Sequence, residues 1–190
     1  MQDDFRQSVE FSHDLLKRHI SQGDRVLDAT AGNGKDTLFL AELVGPQGKV
    51  WAFDIQKKAI NNTDKLLKDN NVREQVSLIQ AGHENLNEFV EEPVMGIIFN
   101  LGYLPGGDKN IVTRPETTLK ALISSLEILQ VAGVIVMVFY TGHEGGREEF
   151  DHIFDYAKEL DYNQYNVLYY HFINQKKPPA ELVGIKKRGL

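Results

Sequence analysis

Short apolar runs alternate with amphipathic segments along most of the chain. The runs are rich in β-branched and aromatic residues and predict strands at 25–29, 49–54, 76–80, 96–100 and 133–140. Between and before them, apolar residues recur at helical spacing, which predicts an N-terminal helix around residues 11–20 and helices at 35–44, 57–70, 115–130 and 146–160, with a short segment near 84–90. Strands separated by helices form βαβ units, so we expect a mostly parallel sheet covered on both faces.

The end of the chain departs from this alternation. Two more predicted strands, 165–173 and 182–187, are separated only by residues 174–181, which contain Pro178 and Pro179. A parallel crossover needs about a dozen residues or more, so this pair is expected to be antiparallel. The predicted fold class is therefore α/β, with a doubly wound, mostly parallel seven-stranded sheet that ends in a C-terminal antiparallel hairpin.

Composition narrows the class of protein. The 190 residues, 42% hydrophobic and 25% charged, predict a single domain over 1–190. No apolar run is long enough for a membrane span, and the N-terminus lacks the pattern of a signal peptide, so we expect a cytoplasmic protein. The absence of cysteine excludes disulfides, thiolate metal sites and cysteine nucleophiles, and no metal site is predicted. A net charge of −6 argues against a broadly basic surface but allows a local basic patch.

The first predicted strand runs into a glycine loop, VLDATAGNG. Gly32 and Gly34 allow a tight turn and the close approach of a ligand. The carboxylate of Asp28 would accept hydrogen bonds either from a ligand ammonium group or from local backbone N–H groups. Asp54 ends the next strand, where an acid holds the hydroxyls of a ribose. Because Thr37 replaces the third glycine of the dinucleotide fingerprint, the pattern favours a nucleoside over a dinucleotide.

This D-x-x-x-G-x-G pattern, followed by an acid after the second strand, resembles the S-adenosylmethionine site of class I methyltransferases, whose sheet also ends in an antiparallel hairpin. The resemblance implies S-adenosylmethionine as the cofactor and Asp54 as its ribose ligand. By the same resemblance, the methionine portion of the cofactor would be surrounded by Asp28, Ala31, Gly32, Asn33 and Gly34. Near the adenine the resemblance implies Gln56, Gly82 and His83.

The end of the fourth predicted strand carries the expected reaction chemistry. Residues 100–103, NLGY, resemble the [DN]-P-P-[YF] loop of amine-directed methyltransferases, although Leu101 and Gly102 replace the prolines. In that loop the polar side chain accepts a hydrogen bond from the target nitrogen and the aromatic ring stacks on the substrate. We therefore expect Asn100, which would also lie beside the cofactor, and Tyr103 to position the substrate. A turn in which Asn100 merely ends a strand is the structural alternative.

A longer pattern is more specific. NLGYLPGGDK, DATAGNGKDT, GHE and KPPAELVGIKKR together resemble the tRNA 5-(aminomethyl)-2-thiouridine methyltransferase family, formerly labelled rRNA methylases, over nearly the whole chain. The resemblance implies conversion of 5-aminomethyl-2-thiouridine to 5-methylaminomethyl-2-thiouridine at the tRNA wobble position, 34. An alkylamine is mostly protonated near neutral pH, so a base or a dry pocket must favour its neutral form. Asp108 and His143 are the candidate bases, and His83 is a weaker one.

The implied partner is a tRNA anticodon stem-loop. Five basic residues near the predicted site are candidates for phosphate contacts: Lys109, Arg114, Arg147, Lys176 and Lys177. Two subunits of a homodimer would share one RNA. Three alternatives stay open from the sequence: methylation of an amine in rRNA or in a small molecule, a nicotinamide-dependent oxidoreductase, and a nucleoside-binding module without chemistry.

Overall fold

Seven strands form one sheet in the computed structural model, which describes residues 5–107, 111–176 and 179–189. The strands are β1 Arg25–Asp28, β2 Lys49–Phe53, β3 Val76–Ile79, β4 Val94–Leu101, β5 Leu129–Phe139, β6 Tyr165–Tyr170 and β7 Glu181–Lys187. The helices are α1 Ser8–Lys17, α2 Lys35–Val44, α3 Lys57–Asp69, α4 Pro115–Ile128 and α5 Gly146–Lys158, with a 3₁₀ helix at His83–Glu88.

The sheet order is β3-β2-β1-β4-β5-β7-β6. Strands β1 to β5 pair in parallel, whereas β7 lies antiparallel to both β5 and β6. The connection between β6 and β7 is too short for a parallel crossover, as the sequence indicated. The predicted fold class is confirmed.

The central strands are buried on both faces, which explains their nearly continuous apolar sequences. On one face α1, α2 and α3 contribute Leu16, Leu40 and Leu67 to the core. The opposite face is covered by α4, α5 and the 3₁₀ helix. Alternate residues of each strand point to opposite faces, so Val26 packs in the first cluster and its neighbour Leu27 in the second. Within the described residues, no helix has the length and apolar character of a membrane span.

Strand β5 starts earlier than the sequence pattern predicted. The predicted helix 115–130 ends at Ile128, and β5 begins at once with Leu129. Between the pairs Val94↔Leu129 and Gly96↔Val134 the register shifts, and Ala132 there has φ of +66°. This bulge interrupts the strand pattern between its two halves, so only the regular part from 133 was predictable.

The topology brings the predicted functional segments together. The order reverses at β1, whose neighbours are β2 and β4, so the chain leaves the carboxyl ends of β1 and β4 in opposite directions. A crevice forms at this point in doubly wound sheets, and ligands bind there. The glycine loop after β1 and the NLGY segment at the end of β4 both lie at this crevice.

Candidate active site

A cavity of about 1230 Å³ opens at the carboxyl edge of the sheet. Eleven of the residues predicted from the sequence line it: Ala31, Gly32, Asn33, Asp54, Gln56, Gly82, His83, Asn100, Tyr103, Arg114 and His143. Four others, Asp28, Gly34, Arg147 and Lys176, are not in its lining. The remaining three, Asp108, Lys109 and Lys177, lie outside the described residues. The cavity is large enough for a nucleoside-sized ligand with room for a second group.

The glycine loop is held by its own backbone and by the neighbouring strand. Ala31 N–H donates to the carbonyl of Phe53 at 2.8 Å, and Gly34 N–H donates to the carbonyl of Ala31 at 2.8 Å. Gly34 has φ of +85°, and a Cβ at this position would lie 2.9 Å from Cα of Thr63 in α3. Gly34 therefore lets α2 and α3 approach each other and does not face the cavity.

Asp28, at the end of β1, binds polar groups of the glycine loop and of α2. Its carboxylate is fully buried and accepts hydrogen bonds from the Thr30 N–H at 3.0 Å and the Thr37 hydroxyl at 2.6 Å. Burial, with the nearby charge of Asp36, raises the pKa of Asp28 to about 7. Of the two roles considered for this residue, the geometry matches the capping of local groups. Asp28 therefore supports the conformation of the glycine loop, although it does not line the cavity.

Asp54 stands at the end of β2 and faces the loop. It accepts hydrogen bonds from the N–H groups of Gly32 at 3.0 Å and Gln56 at 2.8 Å, and burial raises its pKa. A carboxylate has about four acceptor positions, so two remain for hydroxyl donors of a ligand. Next to it, the apolar side chain of Ile55 lines the cavity and is 55% exposed.

Asn100 is held by two hydrogen bonds, one from its backbone and one from its side chain. Its backbone N–H donates to the Thr30 hydroxyl at 2.7 Å, and its side-chain Nδ2 donates to Oδ2 of Asp36 at 3.0 Å. The other Asp36 oxygen lies 2.7 Å from Nε2 of His13. The remaining polar atom, Oδ1 of Asn100, is buried and has no hydrogen-bond partner among the described residues. A buried amide oxygen of this kind is an acceptor in need of a donor.

The segment after β4 folds back over the glycine loop. Asn33 Nδ2 donates to the carbonyl of Pro105 at 3.2 Å, and Lys58 Nζ donates to the carbonyl of Gly106 at 2.7 Å. Tyr103 forms an isolated antiparallel bridge with Val112. The Tyr103 ring meets that of His143 edge to face, with centroids 6.1 Å apart. These contacts make the NLGY segment one wall of the cavity.

The two candidate histidines differ in their surroundings. Nδ1 of His143 lies 2.9 Å from the carbonyl oxygen of Glu144, which assigns the ring hydrogen to Nδ1 in the neutral tautomer. Nε2 of His143 then carries a lone pair, and this buried atom has no partner within the described part of the chain. His83, in contrast, bonds to the backbone of Ala29 and lies 3.5 Å from the Thr118 hydroxyl, while burial lowers its pKa. His83 thus connects the 3₁₀ helix to Ala29 and α4, whereas Nε2 of His143 is a buried acceptor beside Gly146.

A buried carboxylate supports the far wall. Glu149 in α5 accepts the hydroxyl of Thr113 at 2.7 Å and that of Thr118 at 2.6 Å, and burial raises its pKa. Thr113 also donates its N–H to the carbonyl of Gly102 at 3.1 Å. Glu149 therefore holds the segment that pairs with Tyr103, although its own carboxylate lies behind the cavity.

The basic residues divide into two groups. Arg114 is exposed and lines the cavity, and Lys176 is exposed on the connection between β6 and β7. Arg147 instead binds two carboxylates, Asp151 at 2.6 Å and the buried Glu181 at 3.0 Å. Arg147 thus forms intramolecular ion pairs that the sequence did not indicate.

Sequence reasoning missed His13, Asp36 and Glu149. Asp36 occupies the first turn of α2, where an acid is expected simply because of the helix dipole. His13 belongs to α1, which precedes the first βα unit and contains none of the motifs. Glu149 is one of two adjacent acids at the start of α5. The only available signal for Asp36 and Glu149 was their position in the first turn of a helix that follows a strand, which does not separate ligands from caps.

The putative rRNA methylase family model matches residues 50–186. A putative rRNA methylase structure from Clostridium thermocellum is 46% identical, with a TM-score of 0.95, and the match covers 97% of this chain and 100% of that one. A putative methyltransferase from Streptococcus mutans, solved in complex with SAH, is 38% identical with a TM-score of 0.89, over 96% and 99% of the two chains. An Arabidopsis thaliana relative, the chloroplastic tRNA (mnm(5)s(2)U34)-methyltransferase, is 38% identical over 96% of this chain and 70% of its own length. The chain belongs to the putative rRNA methylase family, within the S-adenosylmethionine-dependent methyltransferases.

Proposed function

We propose that the protein methylates the aminomethyl group of 5-aminomethyl-2-thiouridine at the tRNA wobble position, giving 5-methylaminomethyl-2-thiouridine. The observation that carries this proposal is Oδ1 of Asn100 at the rim of the sheet, which is buried and has no hydrogen-bond partner among residues 5–107, 111–176 and 179–189. An amide oxygen accepts a hydrogen bond from an amine and leaves the nitrogen lone pair free. The name of the Arabidopsis relative supports the tRNA nucleoside as the amine. The cytoplasmic location expected from the sequence belongs to the same proposal.

The residues around the cavity fit S-adenosylmethionine. The free acceptor positions of Asp54 would take the ribose hydroxyls, and the exposed Ile55 offers an apolar surface to adenine beside Gln56 and Gly82. The glycine loop, through Ala31, Gly32 and Asn33, would surround the methionine portion. The cofactor supplies a methyl group on a sulfonium, which is already a good donor.

The protein's own task is then to orient and deprotonate the amine. Asn100 would accept one N–H of the neutral amine, which directs its lone pair towards the methyl carbon. As the new N–C bond forms, the C–S bond breaks and its electrons stay on sulfur, which leaves S-adenosylhomocysteine. The nitrogen then loses a proton, for which Nε2 of His143 is the proposed acceptor. Asp108 remains a second proposed base.

Tyr103, which is 42% exposed, would stack on the target base or its neighbour. Arg114 and Lys176, with Lys109 and Lys177, are proposed to contact phosphates of the anticodon stem-loop. A homodimer that shares one RNA is part of the same proposal.

The test is mass spectrometry of nucleosides from tRNA that carries 5-aminomethyl-2-thiouridine, after incubation with the protein and S-adenosylmethionine. A gain of one methyl group on that nucleoside is expected. Asn100→Ala should abolish the gain even at a cofactor concentration that saturates the variant. If the wild type binds the cofactor but this nucleoside gains no methyl, the proposed substrate is wrong. Methylation of rRNA or of a small amine in the same assay would identify the alternative.

A further inference from the structure

We propose that Asp36 and His13 are positioning residues that hold the Asn100 side chain with its amide oxygen turned towards the substrate amine. The inference rests on the proposed function, in which Asn100 accepts a hydrogen bond from the target amine. We call the three side chains the Asn100 network. It joins the end of β4, the first turn of α2 and the N-terminal helix α1.

Asp36 decides which way the amide points. An asparagine side chain can present either its NH₂ group or its oxygen to a neighbour, and the two orientations are nearly equal in shape. Oδ2 of Asp36 lies 3.0 Å from Nδ2 of Asn100, and an ionised carboxylate can only accept. Rotating the amide would place two acceptors in contact, so Asp36 favours the orientation that leaves Oδ1 of Asn100 for a ligand.

His13 holds the other side of the same carboxylate. Its Nε2 lies 2.7 Å from Oδ1 of Asp36, so each carboxylate oxygen has one donor. The imidazole is itself fixed by stacking on Phe39, with ring centroids 3.9 Å apart and planes within 3° of parallel. Val9, one turn earlier in α1, and His13 both line the cavity. The N-terminal helix is therefore part of the site and not only a cover for the sheet.

Hydrogen bonds in such a network also strengthen one another. Donation from Nδ2 of Asn100 to a carboxylate increases the negative charge on Oδ1 of the same amide and makes that oxygen a better acceptor. This polarisation would be lost if Asp36 were neutral or absent. The network thus has a chemical effect besides its contribution to packing.

Three variants separate these roles. Asp36→Asn removes the charge and lets the new amide donate to Asn100, which satisfies Oδ1 and blocks it. His13→Phe keeps a ring against Phe39 but removes the donor to Asp36. His13→Gln replaces the donor at a similar position and should restore function. Asp14→Asn is the control, because Asp14 lies next to His13 in α1 but pairs with Arg6 on the surface.

The first measurement is the single-turnover rate of methyl transfer to the tRNA substrate, with cofactor affinity measured on the same samples. Asp36→Asn should lower the rate on the order of 100-fold, and His13→Phe on the order of 10-fold, with little change in cofactor affinity. His13→Gln should recover most of the rate, and Asp14→Asn should match the wild type. Unchanged rates in both Asp36→Asn and His13→Phe, or no recovery in His13→Gln, would overturn the inference.

The second measurement needs no substrate, so it separates failure of the inference from failure of the proposed function. In NMR spectra the side-chain NH₂ signals of Asn100 are assigned by their loss in Asn100→Ala. In the wild type we expect them to exchange slowly with water. Asp36→Asn and His13→Phe should shift them and speed their exchange, whereas Asp14→Asn should not. Signals that are the same in wild type and Asp36→Asn would rule out the network even if no tRNA is methylated.

Discussion

At the scale of single residues, the burial of Asp28 makes stability depend on pH. Its pKa is about 7 in the folded protein and 3.8 as the ordinary value, so the folded state binds this proton more tightly. The free energy of unfolding should therefore fall as pH rises from about 4 to about 7, and this contribution should be constant above that range. A difference of about three pKa units corresponds to a change of at most about 4 kcal/mol in the free energy of unfolding. The change is smaller than this limit because the titration of Asp28 is coupled to the charge of Asp36.

Asp28→Asn tests this dependence, since the amide oxygen can still accept the Thr30 N–H and the NH₂ can donate to the Thr37 hydroxyl, but the side chain does not ionise. In urea unfolding between pH 4.5 and 7.5, the variant should lose less stability than the wild type as pH rises. The exposed carboxylate of Asp69 provides the control, and Asp69→Asn should follow the wild-type curve. Parallel curves for Asp28→Asn and wild type would show that Asp28 is ionised at no extra cost.

Gly34 provides a second prediction at this scale, because Gly23 offers a matched control. Both glycines have left-handed φ, +85° for Gly34 and +87° for Gly23. A Cβ added to Gly34 would lie 2.9 Å from Cα of Thr63, whereas a Cβ added to Gly23 would have no atom within 4 Å. Gly23→Ala should lose about 1 kcal/mol of stability from backbone strain. Gly34→Ala should lose about 1–3 kcal/mol more from overlap with α3. Equal losses in denaturant unfolding would contradict the packing role of Gly34.

At the scale of elements, the wall that carries Tyr103 depends on a hydrogen bond between distant segments. Thr113 donates to Glu149 in α5 and pairs with Gly102, so its hydroxyl fixes the segment opposite Tyr103. Thr113→Val should lower kcat/KM for tRNA about 10-fold and leave cofactor affinity unchanged, because the glycine loop is untouched. Thr113→Ser keeps the hydroxyl and should recover most of the activity. Equal activity of all three proteins would show that the segment needs no such support.

The elements also show where sequence reasoning succeeds. Alternation of strands and helices predicted the parallel sheet, and the short connection at 174–181 predicted its antiparallel end, because both depend on chain geometry alone. The start of β5 was missed, since its bulge at Ala132 breaks the strand period. The His13–Asp36 contact joins residues 23 positions apart in α1 and α2. Such a contact depends on helix packing and rotamers, which local patterns do not encode.

At the scale of the whole molecule, the net charge of −6 conflicts with RNA binding unless the basic residues around the site are free of acidic partners. Arg147 is not free, because Asp151 and Glu181 both bind its guanidinium. Arg114 is exposed and lines the cavity. The two arginines, both predicted from the sequence to contact phosphates, should therefore behave differently.

Salt dependence distinguishes them. A residue that contacts a phosphate releases a bound counterion, so its loss should reduce the slope of log K against log salt for an anticodon stem-loop by about 1. We expect this for Arg114→Ala, with no change in stability. Arg147→Ala should leave the slope unchanged and reduce the free energy of unfolding by about 1–3 kcal/mol, because Glu181 is buried and loses a charged donor. A reduced slope for Arg147→Ala would mean that the RNA displaces its carboxylate partners, and an unchanged slope for Arg114→Ala would move the RNA path away from this side of the cavity.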